Sequence, residues 1–141
     1  MNTAMPRVLL AARPVAREPF RTALIGHADL IETETLHESL LHLKHEPPPA
    51  LVCCTVLFDE SRMFELLRWV KAELPTVAFI CARALAWDLT KFTIEAVEIA
   101  SKSLGATAFI DVPAWTKKYG DAGARERLRL TILAACAGSK S

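Results

Sequence analysis

Three groups of residues in this chain have side chains that can do chemistry. Cys53, Cys54 and Thr55 stand in a row inside an apolar run, and Cys81 and Cys136 lie in two further apolar runs. A thiol or hydroxyl becomes a nucleophile or redox centre only when a base or a nearby cation activates it. Arg83 is the one cation close in sequence to Cys81, and no base stands beside Thr55. Cys53 and Cys54, as strand neighbours, point to opposite sheet faces and make poor disulfide partners. Buried, reduced thiols are therefore the better reading. His37, His42 and His45 form the second group. His42 and His45 share a helix face, but no Cys or acid at ligand spacing accompanies them, so surface histidines are expected and no metal site is assigned. The third group is charged. Asp59 and Glu60 follow an apolar run and read as loop charges facing water, and Asp111 lies in another run. Arg125, Arg127 and Arg129, with Lys117 and Lys118, offer a local basic edge that reads first as a solvated helix face.

The whole chain sets limits on these groups. Its 141 residues carry 17 basic and 16 acidic side chains, a net charge of +1, with 52% hydrophobic residues. That is one folded domain, with no global basic field to bind nucleic acid. No apolar run approaches the ~20 residues that span a bilayer, and the short polar start has no leader-like core, so a cytoplasmic protein is expected. Residues 1–6 and 139–141 read as flexible ends around a single domain over 7–138.

Short apolar runs alternate with helical patterns, which implies βαβ units around a parallel sheet. The strand runs are Val8 to Ala12, Ala28 to Thr35, Leu51 to Phe58, Val77 to Ala82 and Ala106 to Val112. The second, of mixed polarity, fits an edge; the third, the most apolar, fits the centre. Thr35 and Glu38 have capping-box spacing, and Pro47 to Pro49 stop the helix that follows, whose Leu40, Leu41 and Leu43 face inward. Phe64, Leu67 and Val70 give the next helix one buried stripe, and Pro75 ends it. Asp88 is placed to cap a helix in which Phe92, Ala96, Ile99 and Ala100 recur at helical intervals, with Gly105 as its stop. Trp115 to Gly123 reads as an irregular loop, and Ala124 to Ala137 as the last helix, with Leu128, Ile132 and Ala135 on one face. The expected fold is an α/β, flavodoxin-like three-layer sandwich with five parallel strands in the order 2-1-3-4-5 and five helices.

Particular segments go further. Pro49 to Val56, followed by Phe64-Glu65-Leu66-Leu67, resembles the third strand and third helix of bacterial response-regulator receiver domains. Gly105-Ala106 and then Phe109 to Pro113 resemble their last strand and its lysine-proline turn. The resemblance runs from Arg7 to about Cys136. It implies a domain that takes a phosphoryl group on an aspartate ending the third strand. In that family an acidic pair helps hold Mg²⁺, a Thr or Ser ends the fourth strand, and a Lys precedes the final Pro. Metal and cation are needed because charge builds on the transferred group.

Laid onto this chain, the acidic pair falls on Ala11 and Ala12, the phosphoacceptor on Thr55, the hydroxyl on Cys81 and the lysine on Val112. All five positions depart from the family pattern, and methyl groups cannot ligate Mg²⁺. The resemblance thus implies a pseudo-receiver with no cofactor and no enzymatic activity, acting as a protein–protein interaction module in bacterial signalling. Its partner would be a signalling protein or a second copy, bound through the last two helices and the fifth strand. Trp87, Phe109, Trp115, Lys117, Lys118, Tyr119, Arg125 and Arg129 are the candidate contacts, with long loops expected over 83–92 and 113–123. Phe109 takes the place of the aromatic whose rotamer reports phosphorylation in the family. Two alternatives stay open. The vacated acidic pocket could admit an uncharged small molecule, or a register slide of about four residues could make Asp59 the phosphoacceptor.

Overall fold

The computed structural model describes residues 5–87 and 89–138. Asp88, most of the expected flexible start and the expected tail lie outside the described residues. The apolar runs form β1 (Arg7–Ala11), β2 (Asp29–Thr33), β3 (Leu51–Thr55), β4 (Ala78–Arg83) and β5 (Ala108–Asp111). Between and after them lie α1 (Glu18–Leu24), α2 (Leu36–His45), α3 (Met63–Glu73), α4 (Lys91–Ser103) and α5 (Val112–Gly138). All strand pairs are parallel, in the order β2-β1-β3-β4-β5. This is the expected flavodoxin-like topology. β3 is buried along its whole length, as a central strand must be, whereas β2 is mostly half-exposed at its edge.

Strand alternation sends successive side chains into two cores. Val8, Leu10, Cys53, Ile80 and Ile110 pack with Phe20 and Leu24 of α1 and Leu128 and Ile132 of α5. Leu9, Val52, Cys54, Phe79 and Cys81 pack on the other face with Leu43 of α2 and Leu66, Leu67 and Val70 of α3. The helix starts follow their sequence signals. Thr35 Oγ1 accepts from Glu38 N at 3.1 Å, while Glu38 Oε1 accepts from Glu34 N at 2.6 Å. These bonds satisfy backbone donors that a helix start leaves open.

Four local expectations are corrected. Leu41 is 45% exposed rather than inward, because Leu40 and Leu43 take the inner side of α2. Phe58 lies beyond β3, fully buried beneath a tight turn. In that turn Leu57, Asp59, Glu60 and Ser61 all adopt positive φ. Trp115 to Gly123 is helical rather than irregular: α5 starts at Val112 and kinks at Gly120, whose φ of 77° and ψ of 174° suit glycine. Pro113 near the first helical position favours that start.

The fourth correction concerns α4. Its cap is Thr90, whose Oγ1 accepts from Thr93 N at 3.3 Å. Val97 and Leu104 turn toward the core, and Ser101 is buried. Phe92 and Ile99, which recur with Ala96 at helical intervals, face solvent at 84% and 67% exposure. The helix has two apolar sides, and the sheet covers only one.

Candidate functional site

The parallel register gathers the C-terminal strand ends along one edge, where ligands of open α/β sheets bind. There Ala11 pairs with Cys54, Cys54 with Cys81, Thr55 with Ala82 and Arg83 with Asp111. All five positions singled out from sequence lie at or near this edge, but alternation divides them. Ala12 and Val112 belong to the α1–α5 core, and Thr55 sits beside Ala82 of that core. Ala11 and Cys81 belong to the opposite core. The edge is closed as well. Exposure is 0% at Ala11, Ala12 and Cys81, 1% at Thr55 and 8% at Val112. Val112, the least buried of them, borders the groove between α1 and α5.

The chemistry of the edge follows from what is there. Thr55 Oγ1 is buried and has no hydrogen-bond partner among the described residues. One neutral hydroxyl among methyl groups is not a Mg²⁺ site, which needs several oxygen ligands in octahedral array. The residues at the edge therefore do not fit the divalent ion that a receiver fold implies. Among the described residues no three His, Cys, Asp or Glu side chains are grouped to hold a metal. Burial pushes the Cys53 and Cys54 thiols far above their ordinary range. It raises Cys81 to about 11, against an opposing hydrogen bond from Ser101. These sulfurs stay protonated and are poor nucleophiles.

The buried hydroxyl gives a prediction of unusual sign. Thr55→Val keeps the shape and removes an unsatisfied polar atom, so it is expected to stabilise the fold by about 1 kcal/mol. Urea unfolding reads this directly; a loss of stability would mean that the hydroxyl has a partner.

Three arginines and Asp111 also stand at this edge. Arg13 directly follows Ala12, with its Nε buried and its guanidinium 6.0 Å from the centre of the Trp87 ring. Arg17 donates from Nε to the Ala12 carbonyl at 3.1 Å. Arg83 is 7% exposed; it donates to Asp111 Oδ1 at 2.8 Å and to the Ala86 carbonyl at 2.6 Å. Asp111 Oδ1 also accepts from Ala114 N at 3.2 Å, which ties β5 to the first turn of α5. The segment after β4 is thus clamped by an ion pair that joins the two strand ends.

Asp59 lies beyond β3, in the turn before α3. It is four residues past Thr55, and its Oδ2 accepts from Leu36 N at 2.7 Å, at the start of α2. It is half-buried and bonded rather than a loop charge facing water.

The remaining candidates are spread over several surfaces. Trp87 is 70% exposed, whereas Phe109 and Trp115 are half-buried and pack against the two cores. Tyr119 is half-buried, with Arg127 3.9 Å and Lys118 5.3 Å from its ring centre. Lys117 and Arg125 are exposed, and Arg129 is half-buried. Trp87, Lys117 and Arg125 help line an open groove of about 760 Å³ between α1 and α5, with Glu18 and Asp121 on its walls. Sequence reasoning missed the outward stripe of α4, the Arg83–Asp111 pair and the position of Arg13.

No known family's sequence profile matches the chain, and no curated protein matches it in sequence. Solved structures match in shape. A putative response regulator from Chloroflexus aurantiacus aligns with a TM-score of 0.72 at 16% identity, over 95% of this chain and 99% of its own. A response regulator from Thermotoga maritima gives 0.68 at 19% identity, over 95% and 99%. A CheY-like response regulator receiver domain protein from Methanospirillum hungatei gives 0.68 at 16%, over 97% and 98%. The chain has the fold of these receiver domains. No helix among the described residues is long and apolar enough to cross a membrane.

Proposed function

We propose that this chain is a regulatory, receiver-like protein of bacterial signal transduction that does not take a phosphoryl group and acts by binding another protein. One observation carries the reading. At the strand edge where receiver domains would do phosphoryl chemistry, this chain places Ala11, Ala12, Thr55, Cys81 and Val112, all buried. At these five positions no acid can hold a metal, no aspartate can accept the phosphoryl group and no lysine supplies the counter-charge, and phosphoryl transfer relies on all three. Burial of the thiols leaves no activated nucleophile in their place. With no chemistry to perform, the function lies on the surface. The contact face is formed by α4, β5 and α5, where Phe92, Ile99 and Leu130 are exposed. A cytoplasmic setting fits the four free cysteines.

The reading is tested with Mg²⁺ and either acetyl phosphate or beryllofluoride. Intact mass and tryptophan fluorescence are expected to stay unchanged, with Trp87 close to the edge as reporter. Saturable, Mg²⁺-dependent beryllofluoride binding, or a phosphorylated species, would overturn it. If that species vanished in Asp59→Asn, the acceptor would be Asp59.

A further inference from the structure

We propose that the groove between α1 and α5 binds a small aromatic carboxylate, its ring against Trp87 and its charge on Arg13. The groove holds about 760 Å³, within the range of about 300–1,000 Å³ typical of small-molecule sites. Its walls are largely apolar, with Pro19 of α1, Leu85 of the segment after β4, and Val112, Pro113 and Leu128 of α5. Two large apolar side chains on its lining stay in water: Trp87 is 70% exposed and Val15 57%. A tryptophan left unpacked beside an apolar cleft offers a flat face to a flat ligand.

Charge at the Trp87 end of the groove selects an anion. The Arg13 guanidinium lies 6.0 Å from the centre of the Trp87 ring. Its Nε is buried and has no hydrogen-bond partner among the described residues, although the residue as a whole is only half-buried. Arginine is always charged, and a charged donor shut off from water without an acceptor is destabilising in a way that an anion relieves. The nearby acids are already engaged. Asp111 is held by Arg83 at 2.8 Å, and Glu32 by Arg21 at 2.6 Å. On the groove walls Glu18 and Asp121 are matched by Lys117 and Arg125, so no surplus of negative charge there answers Arg13. A carboxylate can accept two parallel hydrogen bonds from one guanidinium, which fixes the direction of the ring it carries. The site is distinct from the five buried strand-edge positions, of which only Val112 borders it.

The probes are 1-naphthylacetate and its uncharged amide, titrated into the folded chain and followed by amide chemical shifts and calorimetry. The carboxylate is expected to saturate one site with a Kd on the order of 0.1 mM. Its shifts should centre on residues 84–87 and 112–121, which border the groove. The amide should bind at least about tenfold more weakly. This comparison on the parent chain decides the charge requirement without any substitution. Arg13→Gln should lower the affinity for the carboxylate about tenfold and leave that for the amide unchanged, while Trp87→Ala should weaken both. Arg13→Lys, which keeps the charge, should recover part of the loss, and circular dichroism checks that each variant is folded. Phe92→Ser, on the outer side of α4, should bind as the parent does. Equal affinity for the two probes, full carboxylate binding by Arg13→Gln, or shifts centred on α4 would overturn the proposal. So would the absence of saturable binding, which would leave the groove to a macromolecular partner.

Discussion

Arg83→Met is expected to cost about 3 kcal/mol of stability and to lower Tm by roughly 10 °C. The guanidinium is nearly buried and bonds both Asp111 and the Ala86 carbonyl, so its removal strands a carboxylate that is itself only 20% exposed. A buried ion lacking its partner costs more than the pair contributes when intact. Asp111→Asn added to Arg83→Met should recover more than half of the loss, because the amide oxygen still accepts from Ala114 N while the charge is gone. Thermal melts of the two variants decide the matter. A loss under about 1 kcal/mol for Arg83→Met would show that water replaces the pair at little cost. Hydrogen exchange should also quicken over residues 84–87, which the arginine holds to the strand end.

Phe58→Ala is expected to cost about 4 kcal/mol, in the range found for buried phenylalanines cut to alanine. Phe58 is fully buried and stands among four positive-φ neighbours, Leu57, Asp59, Glu60 and Ser61. Left-handed backbone is unfavourable for residues with a side chain, and it persists only where surrounding contacts over-determine it. The ring anchors the turn in the core between β3 and α3. The backbone bonds Phe58 N to the Thr55 carbonyl at 3.2 Å and Arg62 N to the Phe58 carbonyl at 2.8 Å complete the turn. Without the ring the turn should relax, and Asp59 should lose its hold on the start of α2. Guanidinium unfolding gives the energy, and amide exchange at Leu36 reports the second effect. Protection of the Leu36 amide equal to that of the parent would show that the turn holds itself.

Much of the fold was legible because its signals are local. Apolar runs of strand length, the Thr35–Glu38 box and the prolines after α2 and α3 each act within a few residues. The alternation of strand and helix then leaves few topologies. The order of the sheet also made the strand edge the place to look, and the residue types at the five positions expected there were visible directly. What sequence could not give was anything set by register or by covering. Arg83 and Asp111 are 28 residues apart and meet only because β4 and β5 pair in one alignment. Asp59 and Leu36 are separated by 23 residues. In α4, helical periodicity marks both Phe92-Ala96-Ile99 and Val97-Leu104 as apolar sides, and nothing in the pattern says which the sheet will take. The first half of α5 was hidden by its polar composition and by Gly120, although Pro113 was a start signal.

The β2 margin of the sheet bears on whether the fold can add strands end to end. β2 carries Asp29 and Glu32, and the Glu32 carboxylate is gripped by Arg21 through bonds of 2.6 and 2.7 Å. A strand arriving from another molecule would have to displace that grip and lie against charge, which discourages end-on growth. The charged, gripped β2 edge therefore discourages the open-ended stacking that leads to fibres.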